Sequence, residues 1–145
     1  DWKSIVLVAG MLPMSTALEN VGLVNLAAES LTNTLGTLGP IWVLGGLFLA
    51  TSFFTQVLSN TATAVLIAPL ALAAAHNLGV QPQAYMMAVG LAASMAFASP
   101  VASPVNTLVM GAGNYRFSDY IKIGTPLLLI GLIISMLVLP LLWPF

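Results

Sequence analysis

Residues 41–75, IWVLGGLFLATSFFTQVLSNTATAVLIAPLALAAA, contain two apolar arms that meet at a short polar break. The arms run from Ile41 to Leu58 and from Ala62 to Ala75, and the break is Ser59-Asn60-Thr61. These three polar side chains can cap a helix that begins near Ala62. The pattern predicts a helical hairpin over residues 40–78. Arms of this length are close to the minimum that spans a bilayer, so the sequence leaves open whether they span fully or re-enter.

The composition indicates a membrane as the surroundings of this hairpin. Hydrophobic residues make up 59% of the 145 residues and charged residues only 5%, whereas soluble domains carry roughly 25% charged residues. A net charge of −1 gives no basic surface for nucleic acid, and the absence of cysteine excludes disulfides and thiolate chemistry. We therefore predict an all-α, polytopic membrane protein. An intramembrane enzyme is the least favoured alternative, and we expect the protein not to be an enzyme.

A second break lies in a predicted broken helix over residues 83–112. Its first part is predicted to run from Gln83 to Ala98 and to stop at Ser99-Pro100-Val101-Ala102-Ser103-Pro104. Proline cannot donate to the helical ladder and disfavours helical geometry in the residue before it. A short apolar piece, Val105 to Met110, then continues the chain.

The remaining segments complete the predicted architecture. Residues 1–18 are predicted to form a membrane helix that is kinked or interrupted at Pro13, and residues 21–35 an interfacial amphipathic helix. Residues 126–145 are predicted to form the last membrane helix. The length allows about four to six membrane-embedded segments, which indicates an internal piece of a longer transporter.

The few cationic side chains predict an orientation. Following the crossings along the chain places Lys3, Arg116 and Lys122 on one face, and these are the three cationic residues of the sequence. Positive charge favours the cytoplasmic side. We therefore expect loop 111–124 to be cytoplasmic, the C-terminus to be outside, and the location to be the cytoplasmic membrane.

The two breaks have the chemistry of an ion site. A helix that begins at a break presents free N–H groups and partial positive charge, which suit an anion. The arm that ends there presents free carbonyl oxygens, which suit sodium. Neither break has a lysine or arginine nearby, so a co-bound cation would have to compensate the anion.

The paired motifs closely resemble those of the divalent-anion/sodium symporter family. They are Ser59-Asn60-Thr61-Ala62-Thr63 and Ser103-Pro104-Val105-Asn106-Thr107. The resemblance covers essentially the whole chain, which looks like the second of two inverted repeats, with residues 40–78 as a re-entrant hairpin. This sequence has Ser103-Pro104-Val105-Asn106 where Thr-Pro-Pro-Asn is commoner in the family.

The resemblance also implies the site residues and partners. The anion site would comprise Ser59, Asn60, Thr61, Ser103, Pro104 and Asn106. The sodium site would comprise Thr55, Leu58, Asn60, Ala102 and Pro104. No cofactor is implied apart from sodium as the coupling ion. The expected partners are the lipid bilayer, the first repeat of the same transporter and a second copy in a homodimer.

Three functional hypotheses follow from these residues. The first is sodium-coupled symport of a small divalent anion such as sulfate or a di- or tricarboxylate. The second is an anion exchanger or proton-coupled carrier on the same fold. The third is a non-transporting membrane anchor or subunit, in which the breaks are only packing turns.

Overall fold

The computed structural model describes residues 2–145, apart from the side chain of Ser4. This range contains no strand and forms seven α-helices and one short 3-10 turn (Gly36–Leu38). The helices are α1 (Trp2–Asn20), α2 (Leu23–Leu35), α3 (Pro40–Thr55), α4 (Asn60–Leu78), α5 (Gln83–Ser94), α6 (Pro104–Gly113) and α7 (Phe117–Leu142). The predicted all-α class is therefore confirmed. Asp1, the first residue of the predicted membrane helix, lies outside the described residues.

Two helices of the described residues are apolar and long enough to cross a membrane. Among the described residues, α4 and α7 each have the length and composition to cross one. Helices α1 and α2 meet at a bend of 67° and together could form a third, broken span or a re-entrant loop. Helix α3 is apolar but shorter, at 16 residues. The chain is thus built for a lipid environment.

The core lies where α3, α4 and α5 pack together. Helix α3 contributes Val43, Leu44, Leu47 and Phe48, all fully buried, whereas α4 and α5 contribute mainly alanines. Small residues let helix backbones approach closely in a membrane, where packing replaces the hydrophobic effect between helices. Tyr85 of α5 is fully buried, and its hydroxyl donates to the Pro40 carbonyl at 2.9 Å. This bond fixes the start of α3 on α5.

Helix α7 covers the segment between α5 and α6, residues 95–103, which we call the linker. A Cβ atom added to Gly124 would lie 2.3 Å from the Phe97 carbonyl oxygen, so a glycine is required at this crossing. One added to Gly131 would lie 2.5 Å from the Met95 sulfur. The linker backbone therefore lies directly against one face of α7.

The helix boundaries differ from the prediction at several places, including the first hairpin arm, whose helix ends at Thr55 rather than Leu58. Helix α1 continues through Pro13 without an interruption. Helix α5 ends at Ser94 rather than Ala98, and the side chains of Gln56 and Asn106 bind backbone groups that the linker exposes. The last helix begins at Phe117 rather than 126, and Pro126 lies inside it. The Asp119 carboxylate accepts from the Arg116 backbone N–H at 2.9 Å, which caps this polar first turn.

Candidate functional site

The tip of the α3–α4 hairpin is a tight connection of four residues, 56–59, between Thr55 and Asn60. Ser59 has an extended backbone, and its hydroxyl accepts from the Ala62 N–H at 3.3 Å. Ser59 is therefore the N-cap of α4, as its residue type indicated. The N–H groups of Asn60 and Thr61 lie in the first turn, where a helix offers no internal acceptor.

Three oxygen atoms converge immediately below this tip. The Thr55 hydroxyl lies 2.7 Å from the Ala93 carbonyl oxygen and 3.0 Å from Asn60 Oδ1. A threonine hydroxyl has one hydrogen to donate, so it cannot satisfy both acceptors at once. Thr55 is fully buried. The three oxygen atoms of the cluster of Thr55, Asn60 and Ala93 therefore share a single hydroxyl hydrogen, which suits a bound cation.

The linker is held by side chains rather than by helical hydrogen bonds. Asn106 donates from Nδ2 to the Ala96 carbonyl at 2.9 Å and to the Ser99 carbonyl at 3.1 Å. The Thr107 hydroxyl donates to the Pro100 carbonyl at 2.7 Å. These bonds replace the helical ladder that the prolines prevent, as a buried backbone requires.

Gln56 connects the hairpin to the same linker. Its Nε2 donates to the Ser52 carbonyl at 2.9 Å and to the Met95 carbonyl at 3.2 Å. Its Oε1 accepts from the Ala98 N–H at 3.1 Å. One half-buried amide therefore satisfies backbone groups on both sides of the contact between the hairpin and the linker.

Two further hydroxyls are buried one helical turn away from the oxygen cluster. Ser52 precedes Thr55 by three residues on α3, and Thr63 follows Asn60 by three residues on α4. Both are buried, and neither hydroxyl oxygen has a hydrogen-bond partner among the described residues. Other buried hydroxyls here, such as Thr51, bond to the carbonyl four residues earlier. The interior of the hairpin is therefore unusually polar.

The predicted site residues are brought together only in part. Thr55 and Asn60 are in direct contact. Within residues 2–145, no hydrogen bond joins the hairpin motif 59–61 to Ser103, Pro104 or Asn106. The amide of Asn106 is turned back onto the linker, and Asn106 lies inside α6, whose N-cap position is occupied by Ser103.

The other predicted sodium ligands would contribute main-chain oxygens. The carbonyl of Ala102 accepts no hydrogen bond from any described residue, and neither does that of Val101. Leu58 is exposed in the tip, and its N–H bonds to the Phe54 carbonyl at 2.9 Å. Pro104 is the first residue of α6, where a backbone N–H would have no acceptor within the helix. The N–H that proline lacks therefore costs no helical hydrogen bond there. The Ala102 oxygen is therefore available to a ligand, whereas no bond ties it to the Thr55 cluster.

Two contributors were missed by the sequence prediction. The Ala93 carbonyl cannot be recognised from residue type, because any residue has one. Gln56 did offer a signal, since an amide in an apolar membrane arm needs partners and indicates a polar interior.

Two cavities lie outside the hairpin tip. One of about 590 Å³ is bordered by α1, α2 and α4 and includes Glu19 and His76. The other, of about 290 Å³, lies beside the linker and is lined in part by Asn106, Tyr120 and Gly124. The Tyr120 hydroxyl donates to the Asn106 carbonyl at 2.8 Å. Neither cavity includes the Thr55 cluster.

Paired helix breaks inside an apolar helical fold are a recurring feature of secondary membrane transporters. Residues 1–90 match the family described as citrate transporter, and the chain belongs to this family. It is a family of transporters and not of enzymes. The resemblance to divalent-anion/sodium symporters is thereby confirmed, whereas the assignment to the second repeat stays a prediction.

Three relatives illustrate this membership. An uncharacterized transporter, YfbS, of Escherichia coli is 49% identical over 99% of this chain and 24% of its own length. Sodium-dependent high-affinity dicarboxylate transporter 3 of Caenorhabditis elegans is 32% identical over 85% of the chain and 22% of its own length. Probable sodium/sulfate cotransporter 3 of Chlamydomonas reinhardtii is 29% identical over 86% and 14%. The chain thus spans about a quarter or less of the length of these curated relatives.

Proposed function

We propose that this chain forms half of the ion and substrate site of a sodium-coupled symporter for a small divalent anion. The observation that carries the proposal is the Thr55 cluster. There the buried Thr55 hydroxyl, the Asn60 amide oxygen and the Ala93 carbonyl at the end of α5 converge with a single hydroxyl hydrogen among them. Sodium coordinated by these oxygens would relieve the mutual repulsion of their lone pairs.

The cation and the anion would be held by opposite ends of the broken helices. Helices α3 and α5 end at Thr55 and Ser94, so their negative dipole ends lie at the cluster. Helix α4 begins at Asn60, where two free N–H groups and the Thr61 hydroxyl can receive an anion. A sodium ion between these ends would compensate the anion's charge, which is the physical basis of coupling.

The second break would complete the anion site from the other side. Ser103 is the N-cap of α6, and its hydroxyl makes no capping bond. We propose that this hydroxyl and the start of α6 contact the anion, together with Ser59, Asn60 and Thr61. Asn106 would contribute by holding the linker, since its Nδ2 is already bonded to two carbonyls.

The names of the relatives support this substrate class. Two of them are described as a sodium-dependent dicarboxylate transporter and a probable sodium/sulfate cotransporter. Because the chain matches less than a third of each, the other half of the site would come from the first repeat of the full-length protein. We further propose a homodimer in the cytoplasmic membrane, with residues 111–124 on the cytoplasmic side.

The test is uptake by the purified full-length protein in proteoliposomes. Radiolabelled succinate, sulfate and citrate are supplied with an inward sodium gradient, an inward proton gradient or an internal load of the same anion. We expect uptake of at least one anion to require sodium. Uptake driven by protons or by internal anion would instead support the carrier or exchanger hypothesis, and no uptake of any anion would contradict the proposal.

Asn60→Ala tests the site itself. Removing the amide oxygen next to Thr55 should raise the sodium concentration for half-maximal uptake about tenfold, the effect of one lost ligand or hydrogen bond. The matched control is Asn77→Ala, at an exposed asparagine near the other end of α4. A sodium dependence that Asn60→Ala leaves unchanged would remove Asn60 from the site.

A further inference from the structure

We propose that Gln56 is a positioning residue that holds the linker against the hairpin tip and so keeps the Thr55 cluster assembled. The effect of Gln56 on transport rests on the function proposed above. The structural role of Gln56 rests on the geometry alone.

The bonding capacity of the Gln56 side chain is matched to the backbone around it. An amide carries two N–H hydrogens, and the two Nε2 bonds, to Ser52 and Met95, use both. The Oε1 atom accepts the Ala98 N–H. Each backbone partner was freed by a helix end, because α3 ends at Thr55 and α5 ends at Ser94.

The local turn of α3 explains why the Ser52 carbonyl is available. In a continuing α-helix this carbonyl would accept the backbone N–H of Gln56. Here that N–H bonds to the Phe53 carbonyl instead, at 3.2 Å. The side-chain Nε2 of Gln56 therefore binds the Ser52 carbonyl in place of the Gln56 backbone N–H. The same nitrogen also binds the Met95 carbonyl of the linker.

The linker segment 95–98 consequently contacts two other parts of the chain. Gln56, just after α3, binds Met95 and Ala98, while Gly124 of α7 admits the Phe97 carbonyl. Ala93, whose carbonyl belongs to the Thr55 cluster, lies two residues before Met95 in the chain. Loosening residues 95–98 should therefore displace the Ala93 oxygen from Thr55.

The structural test is a distance measurement on the full-length protein. Spin labels on cysteines introduced at Val57 and Val101, which are 78% and 74% exposed, report on the tip and the linker. This chain has no cysteine of its own; any elsewhere in the full-length protein is replaced. We expect Gln56→Met, which keeps the length but removes all three bonds, to broaden the distance distribution. The control Gln81→Met changes an exposed glutamine outside the helices and should leave the distribution unchanged.

A second variant keeps the test decisive if Gln56→Met does not fold. Gln56→Asn keeps the amide but is one methylene shorter, so it cannot reach Ser52, Met95 and Ala98 together. Both variants are checked for a monodisperse elution profile, and Gln56→Asn decides the outcome if Gln56→Met does not fold. A distance distribution identical to that of the unmodified protein in the folded variants would overturn the proposal.

Transport gives a readout that separates this inference from the proposed function. In Gln56→Met we expect the sodium concentration for half-maximal uptake to rise about tenfold, while maximal uptake at saturating sodium changes less than about twofold. A loss of uptake by the same factor at all sodium concentrations would contradict a positioning role for Gln56. Absence of sodium-dependent uptake in the unmodified protein would refute the proposed function, and the distance measurement would still decide the role of Gln56.

Discussion

The Thr55 hydroxyl is fully buried, and its two acceptors lie outside its own helix. It has one hydrogen for the Ala93 carbonyl of α5 and Oδ1 of Asn60 in α4. Thr51, one turn earlier, bonds to the Leu47 carbonyl of the same helix at 2.6 Å. The Thr55 hydroxyl thus contacts both α4 and α5, whereas the Thr51 hydroxyl bonds only within α3.

Two substitutions at Thr55 should separate the role of the hydroxyl oxygen from that of the side-chain volume. Thr55→Val keeps the shape, loses the oxygen and should raise the half-maximal sodium concentration of the full-length protein about tenfold. Thr55→Ser keeps the hydroxyl and should remain within about threefold of the unmodified protein, because its bonds are preserved and only a methyl group is lost. Uptake assays across a sodium series measure both. Equal effects of the two substitutions would contradict a role for the oxygen.

At the scale of the residue, side chains with a distinctive chemistry were predictable from the sequence. Ser59 was recognisable as a capping residue because serine is preferred at the N-cap position, where its hydroxyl accepts a first-turn backbone N–H. Asn106 donates to the Ala96 and Ser99 carbonyls of the linker, which lack helical partners, and its predicted contact with the anion stays a prediction. Residue type indicated a polar role in both cases, and only the tertiary structure identified the partner.

At the scale of the element, the crossing of α7 over the linker is the most restrictive contact. Gly124 is buried, and the backbone of Phe97 and Ala98 occupies the space where a side chain would be. Backbone atoms cannot move aside as the end of a flexible side chain can. A methyl group here would force α7 away from the linker.

Gly124→Ala should therefore destabilise the full-length protein by about 3 kcal/mol, at the upper end of the usual cost of overpacking. The control is Gly111→Ala in α6, where an added Cβ meets no atom within 4 Å. That substitution should stabilise by up to about 1 kcal/mol, because alanine favours a helix over glycine. Thermal unfolding in detergent compares the two. A stability of Gly124→Ala equal to that of Gly111→Ala would contradict the close contact.

At the scale of the whole molecule, charge and hydrophobicity are separated along the chain. Arg116, Asp119 and Lys122 cluster where α6 gives way to α7. From there α7 continues to Leu142 with no further charged residue. This arrangement suits a helix that starts at one membrane surface and crosses to the other.

The proposed orientation can be tested by labelling. A cysteine at Tyr115, which is 51% exposed between α6 and α7, should react with a membrane-impermeant maleimide only after the cell is opened. A cysteine at Phe145 should react in intact cells, because one crossing by α7 places it on the opposite side. Labelling of both positions from the same side would contradict a single crossing, and the reverse pattern would invert the orientation.

The sequence by itself determined the solvent, the fold class and the positions of the two breaks. These follow from local quantities: apolar composition, proline at 100 and 104, and capping side chains at the hairpin tip. Only the tertiary structure decided that α5 ends at Ser94, that Asn106 binds the linker, and that Gln56 and the Ala93 carbonyl join the breaks. A freed backbone group must find a partner inside an apolar environment. Which side chain supplies that partner depends on how distant helices pack, and no local pattern encodes it.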